Sequence, residues 1–268
     1  MCVMSEDRDM AKRMRVATCS DQRRDLLISL NRGKKSLRDL RDEFHLDSAT
    51  IVHALRELER HRFVQEDAKR EYSLTVFGRI VSRKVIDLLD TSEAVALHEV
   101  FWLEHDTSGI PDHLLDRISA LRHSDLITEH VDLFKVFHTL VGLFKECDTL
   151  DLITPVFVHE AIELPTTLAL SHKHLRIVLT ENVLQRLIIV TSEALVKNAL
   201  QLGVKIYVIR HNPKLILAVT DKVIALILTR VDGAFDYSQL LTSRRSEAIA
   251  WGHALFRHYT EPSQSVAL

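Results

Sequence analysis

An α+β chain in two parts is predicted, and three changes in the hydrophobic pattern predict it. Residues 20–90 repeat their apolar positions at helical spacing and contain one short hairpin pattern. Residues 91–147 read as helices alone. From Thr149 onward, LDLITPVFV, LRIVLT and VKIYVI are short, nearly continuous apolar runs with helical segments between them. Runs of that kind belong to strands covered on both faces, so the last part is expected to be an α/β domain with a mixed, largely parallel sheet. The expected divisions are a flexible segment over 1–19, a helical domain with a hairpin over 20–90, a helical connector over 91–147 and an α/β domain over 148–268.

The first helix, Asp21–Leu30, sets Leu26, Leu27 and Leu30 on one face and stops at Asn31-Arg32-Gly33. A second starts at Ser36, with Asp39 three residues on as a capping partner. It carries Leu37, Leu40 and Phe44 and breaks at His45-Leu46. Asp47 or Ser48 caps the third, HLDSATIVHALRELERHRFV, whose apolar face is Ile51, Ala54, Leu55 and Leu58. Strands at 63–66 and 71–75 follow, joined by Glu66-Asp67-Ala68-Lys69-Arg70. Two helices, a tight turn, a third helix and a hairpin make a winged helix-turn-helix, in which the third helix enters the major groove and the hairpin lies along the backbone. Val76–Asp90 is a further helix, with Phe77, Ile80, Val81, Val85, Leu88 and Leu89 forming a stripe wide enough for a dimer seam.

In the body, Thr91-Ser92 is expected to start another helix, ending at Asp106–Gly109. Ile110-Pro111 opens the next, with Leu114, Leu115, Ile118 and Leu121 inward. A helix over about 130–147 turns Phe134, Phe137, Val141 and Phe144 inward. Helices over 159–171 and 181–202 separate the three strands. Strands at 215–219 and 223–229 pair around Thr220-Asp221-Lys222. DGAFDYS is a loop, and a helix from Ser246 to Tyr259 closes the chain with Ile249, Trp251, Leu255 and Phe256 inward.

Composition bounds the function. Hydrophobic content of 46% and charged content of 27% suit a globular protein. No apolar run approaches the roughly 20 residues of a membrane span, and the charged N-terminus is no secretory signal. Cys2, Cys19 and Cys147 are too scattered for a disulfide framework, so a cytoplasmic protein is expected. Residues 1–90 hold 19 Lys and Arg against 16 Asp and Glu, while the overall net charge is −2. A basic first third on an acidic body suits a local nucleic-acid surface. Fifteen histidines raise the question of metal. His172/His174, His159/Glu160 and His211 offer no ligand set, so neither metal nor cofactor is expected.

Double-stranded DNA is the expected partner, met by Lys35, Ser36, Ser48, Thr50, His53, Arg56, Lys69 and Arg70. Arg56 suits a guanine edge; Lys69, Arg70 and the Lys34-Lys35-Ser36 helix start suit phosphates. A homodimer follows from paired half-sites. For a small-molecule effector, ligands of open α/β sheets bind beyond the strand C-termini. Thr154, Pro155, Thr180, Glu181 and Arg210, with Asp221, are the candidates there; ordinary capping and loop chemistry is the alternative.

The order of features over about residues 20–260 resembles an archaeal family of winged-helix transcription regulators associated with methanogenesis and filament gene control. EYSLTVFGR, FWLEHDTSGIPDHLLDRISAL, LRIVLTENVL, VKIYVIRHNPKLILAVTDKVIALIL and VDGAFDYSQLLTSRRSEAIAWGHALFRHY carry the resemblance. It implies a DNA-binding regulator with a C-terminal sensory domain similar in pattern to a phospholipase D-like half-domain. The catalytic HxK of that fold is missing, since His172-Lys173-His174 and His211-Asn212-Pro213-Lys214 both have the wrong spacing. No enzyme is therefore expected. The competing readings are a partner-binding adaptor and a phosphodiester-acting enzyme.

Overall fold

The structure, a computed structural model, describes residues 3–129, 133–145, 147–157, 174–261 and 264–265. It divides into two compact units, Met1–Asp90 and Thr91–Leu268.

The first unit opens with helix α1 (Val3–Thr18), where a flexible segment was expected. Ala17 enters the core, and the Arg23 guanidinium donates to the Val16 carbonyl at 2.8 Å. Helices α2 (Asp21–Asn31), α3 (Leu37–Phe44) and α4 (Ser48–Arg60) follow, then β2 (Val64–Glu66) and β3 (Glu71–Leu74). Ser36 and Asp39 close a full capping box on α3, and His45 leaves it at a left-handed φ of 52°. Strand β1 (Lys35–Ser36) pairs with β3 to complete a three-stranded sheet, β1-β3-β2. Two residues are too few to show a period, which is why the sequence hid this strand. Leu26, Leu27, Leu30, Leu40, Ile51, Leu55, Leu58 and Phe63 form the core.

Helix α5 runs Val76–Leu97, so Thr91-Ser92 is interior to it and starts nothing. Neither residue is a helix breaker, and the uninterrupted backbone bonds override the weak capping signal. Of the expected seam, Ile80 and Leu88 are each 60% exposed but Val85 is only 4% exposed.

In the second unit, α6 (Glu99–Glu104), α7 (Asp112–Leu115) and a 3₁₀ turn (Ile118–Leu121) replace the expected connector. They are part of the core. Phe101, Ile110, Leu114, Ile118 and Leu121 pack with Trp251, Leu255 and Phe256 of the closing helix Ser246–Thr260. The nine-stranded sheet comprises β4 (His105–Asp106), β5 (Asp125–Thr128), β6 (Thr149–Thr154), β7 (His174–Thr180), β8 (Lys205–Ile209), β9 (Leu215–Thr220), β10 (Ile224–Arg230), β11 (Gln239–Ser243) and β12 (Gln264–Ser265). Its order is β12-β8-β7-β6-β9-β10-β11-β5, with β4 on β10. Among the described strands, only the β6–β7 and β7–β8 pairings are parallel. The sheet is mixed, and most of its pairings are antiparallel rather than parallel. DLIT and QLLTS supply β5 and β11, which the sequence reading passed over because neither is a continuous apolar run.

Helices cover both faces. Leu215, Leu217 and Val219 of β9 face the closing helix, while Ile216 and Ala218 face the opposite cluster. That second cluster receives Val136 and Leu140 of α8 (Leu133–Lys145), Val183 of α9 (Glu181–Thr191), and Val196 and Ala199 of α10 (Glu193–Gln201). The side chains of Phe134, Phe137 and Phe144 lie outside the described residues, as does the helix expected over 159–171. The single helix expected over 181–202 is two, broken at Ser192, whose φ is 123°. The closing helix is α11.

Candidate nucleic-acid interface

Burial fixes the rotation of α4. Ile51, Ala54, Leu55 and Leu58 are each at most 3% exposed, so the opposite side must face outward. Asp47 anchors its start: one carboxylate oxygen accepts the Thr50 N–H at 2.9 Å, the other the Thr50 hydroxyl at 2.6 Å. Those bonds hold the Asp47 carboxyl below its usual range. Thr50 is thereby committed to the cap. Ser48, His53 and Arg56 are exposed, and their side chains have no hydrogen-bond or ionic partner among the described residues. Arg60, one turn on, is paired with Glu57 at 2.6 Å.

The hairpin tip is built around Asp67, whose carboxylate accepts the N–H groups of Lys69 at 2.9 Å and Glu71 at 3.0 Å. Arg70 takes a left-handed φ of 58° to close the turn. The side chains of Lys69 and Arg70 extend from this tip, exposed and without partners among the described residues. Nearby cations are occupied. Lys34 is bonded to Glu71 and lies 3.7 Å from Asp67. Lys35 donates to Glu43 at 2.6 Å and to the Ser29 hydroxyl at 2.8 Å, with 22% of its side chain exposed. Ser36 exchanges hydrogen bonds with Asp39. Of the eight residues expected to meet DNA, five stand available; Lys35, Ser36 and Thr50 are engaged in the unit's own structure.

The Leu74–Gly78 stretch of EYSLTVFGR positions this hairpin. The Thr75 hydroxyl donates to the Arg62 carbonyl at 2.6 Å and accepts the Gly78 N–H at 2.9 Å. A Cβ on Gly78 would stand 1.8 Å from the Phe63 carbonyl oxygen, so only glycine permits this approach. Phe63 and Phe77 stack at 5.0 Å.

In the second unit, Thr154 and Thr180 end adjacent parallel strands, and Arg210 follows the end of the next. Their polar groups serve local structure. The Thr154 hydroxyl donates to the Val156 carbonyl at 2.9 Å in the turn that contains Pro155. Thr180 caps α9, and Arg210 lies 3.6 Å from Glu181 in a well-exposed pair. Asp221 is not with them. It ends β9, antiparallel to β6, and accepts the N–H groups of Asp148 and Thr149 at the opposite edge. One strand length, about 16 Å, separates it from Thr154.

Within the second unit, the stretches that carry the resemblance meet in its core. His105 of FWLEHD is 4% exposed; its Nδ1 lies 2.6 Å from the Phe101 carbonyl and its Nε2 3.3 Å from Asp236 of DGAFDYS. Burial pushes the Asp236 carboxyl up, but the Ser238 hydroxyl and N–H outweigh it and hold it below the usual range. Trp251 Nε1 donates to the Leu114 carbonyl at 2.9 Å, and the Tyr259 hydroxyl to the Gly109 carbonyl at 2.6 Å. Burial raises that Tyr259 hydroxyl to about 12. A Cβ on Gly109 would sit 1.9 Å from the Pro213 carbonyl oxygen. These residues define the unit's frame. Among the described residues no three His, Cys, Asp or Glu side chains converge as a metal site, and no helix is long and apolar enough to cross a membrane.

One constellation escaped the sequence reading: Asp151, Arg176 and His253. Arg176 grips the Asp151 carboxylate with two bonds of 2.6 Å, and His253 Nδ1 lies 2.9 Å from the same group. The three positions are up to 102 residues apart in the chain, and no local spacing announces them.

Three helices and a hairpin that expose one helix face, followed in the same chain by a sandwiched mixed sheet, define the class as a winged helix-turn-helix unit carried with an α/β unit. Known families agree. Residues 11–93 match the N-terminal domain, and residues 133–262 the middle domain, of the methanogenesis regulatory protein FilR1 family. The chain belongs to this family of regulatory proteins. It is 28% identical over 272 residues to methanogenesis regulatory protein FilR1 of Methanothrix harundinacea (strain 6Ac). That alignment covers 97% of this chain and 59% of the relative, so the chain spans about three-fifths of the curated protein it matches. The match over 133–262 is to the family's own middle domain, and nothing supports a phospholipase D-like half-domain.

Among solved structures, similarity extends to TrmBL2, an archaeal chromatin protein, at 14% identity and a TM-score of 0.43, covering 90% of this chain and 91% of that one. An IcIR transcriptional regulator from Alicyclobacillus acidocaldarius gives 14% identity and a TM-score of 0.26, covering 89% and 94%.

Proposed function

We propose that this chain is a sequence-specific DNA-binding transcription regulator acting in the cytoplasm as a homodimer. Helix α4 enters the major groove, and Ser48, His53 and Arg56 meet base edges. Lys69 and Arg70 at the hairpin tip hold phosphates. Two copies read half-sites about 34 Å apart, and the α/β unit receives a small molecule or partner that adjusts DNA affinity. The observation that supports this reading is the outward face of α4: four buried residues fix its direction, and it ends in a guanidinium and an imidazole that the unit's own structure does not use.

The test compares Arg56→Ala and Lys69→Ala with the unaltered chain on duplex DNA from upstream of its own gene. Arg56→Ala is expected to cost about 1–3 kcal/mol and relax preference at one base position. Lys69→Ala is expected to weaken all sequences alike and flatten the salt dependence. Unchanged affinity in both variants would favour the adaptor reading, in which the same surface meets protein.

A further inference from the structure

The α11 face of the sheet carries a charged row where an apolar one is expected. Asp151 pairs in register with Val219 on β9 and Arg176 on β7, and Arg176 pairs in turn with Lys205 on β8. Register partners share a face, and Val219 belongs to the cluster beneath α11, so Asp151, Arg176 and Lys205 point toward α11 as well. From α11, His253 reaches the row through Nδ1. A carboxylate only accepts, so Nδ1 carries the hydrogen and Nε2 is the outward nitrogen. The Arg176 guanidinium lies 4.9 Å over the Phe256 ring.

Exposure grades along this row. The Asp151 side chain is 5% exposed, His253 30% and Arg176 42%. Lys205 and Arg257, the latter one turn beyond His253, are exposed and make no ion pair among the described residues. A buried ion pair between strands contributes little net stability compared with apolar residues of similar volume. What it does achieve is to fix a guanidinium and an imidazole rigidly at the rim. Asp151 balances one cation only, and like charges on neighbouring strands repel. Among the described residues, Asp148 and Asp221 stand at the entry of β6, and Glu261 one turn past Arg257.

Resting on the regulatory reading of the second unit, we infer that Arg176, His253, Lys205 and Arg257 form a receptor for a small oxyanion, the phosphate or carboxylate group of an effector. Arg176 supplies directed hydrogen bonds, the outward Nε2 of His253 donates one when the ring carries its second proton, and Lys205 and Arg257 supply charge. The site lies toward the N-terminal ends of β6–β8, opposite the edge where the sequence placed it.

Calorimetric titration of the full chain with inorganic phosphate and with succinate, at matched ionic strength in sodium chloride, tests this. Saturable binding of at least one is expected, and the stronger of the two identifies the anion class. Lys205→Gln and Arg257→Gln, both at exposed positions, are each expected to weaken it about tenfold while leaving the melting temperature and DNA affinity of the unliganded chain unchanged. His253→Asn, which keeps a donor for Asp151, is expected to weaken it as well. Heat that follows ionic strength alone, or saturable binding indifferent to Lys205 and Arg257, overturns the site. Loss of the site with DNA binding intact is a failure of this inference alone. Anion binding without DNA binding leaves the site standing and sinks the regulator reading.

Discussion

Arg56 and Lys35 are both cations of the first unit that the sequence offers to DNA, yet the structure treats them differently. Arg56 is exposed with no partner among the described residues, whereas Lys35 sits between Glu43 and Ser29. Sequence shows which residues are basic; only the fold shows which are already occupied. Lys35→Ala should therefore lower stability by about 1 kcal/mol, by leaving the Glu43 carboxylate with less compensation, and leave DNA affinity nearly unchanged. Urea unfolding and an anisotropy titration on one preparation check both halves. A second residue-scale prediction concerns Asp106, which receives the Lys214 ammonium at 2.7 Å and is held down to about 2 from a usual 3.8. A depressed carboxyl contributes stability above its unfolded value and loses it as pH falls through the folded one. Asp106→Asn is thus expected to cost about 1 kcal/mol at pH 7, discounted for a half-exposed lysine, and distinctly less at pH 2, where about half of the carboxyl is already protonated in the fold. Equal destabilisation at both pH values would show that the bond's worth is not ionic.

At the scale of elements, caps and periods were legible and short strands were not. The Ser36/Asp39 box, the Asp47 cap and the buried stripe of α4 stand where the sequence puts them, because each is written within a few neighbouring residues. Strands β1, β5 and β11 depend on partners far along the chain, and so does the row from Asp151 to Lys205. The same limit misplaced Asp221, since the direction of β9 relative to β6 is a tertiary fact. Gly78 is the element-scale test of how the hairpin is held. Gly78→Ala forces a methyl against the Phe63 backbone and is expected to cost about 1–3 kcal/mol in chemical unfolding. A neutral result would mean that the hairpin yields without loss. Helix α5 separates packing from assembly. Val85 is buried, so charging it should unfold the unit. Ile80→Glu, at a 60% exposed position, should give monomers in light scattering at an unchanged melting temperature, if that face joins two copies. A dimer mass that survives Ile80→Glu puts the interface elsewhere.

For the whole molecule, division into a helical unit and an α/β unit was readable from the change of hydrophobic period near Thr149, but its boundary was not. Residues 91–147 look like a helical connector because their apolar positions follow helical spacing, and spacing alone does not reveal what they pack against. Phe101, Leu114 and Ile118 belong to the same cluster as Trp251 and Phe256, so the second unit begins at Thr91. FWLEHD and DGAFDYS, two of the stretches that carry the resemblance, meet where His105 stands 3.3 Å from Asp236, with the His105 ring against Phe101 of that cluster. The regulator account itself rests on base readout by α4. The most direct measurement is fluorescence anisotropy of the full chain with its own upstream duplex, beside a scrambled duplex of equal composition, across a salt series. The account predicts a preference for the native duplex that persists as salt rises, because base contacts are not released with counterions. Equal and steeply salt-dependent binding to both duplexes would contradict base readout, and no binding at low salt would contradict the DNA-binding account altogether.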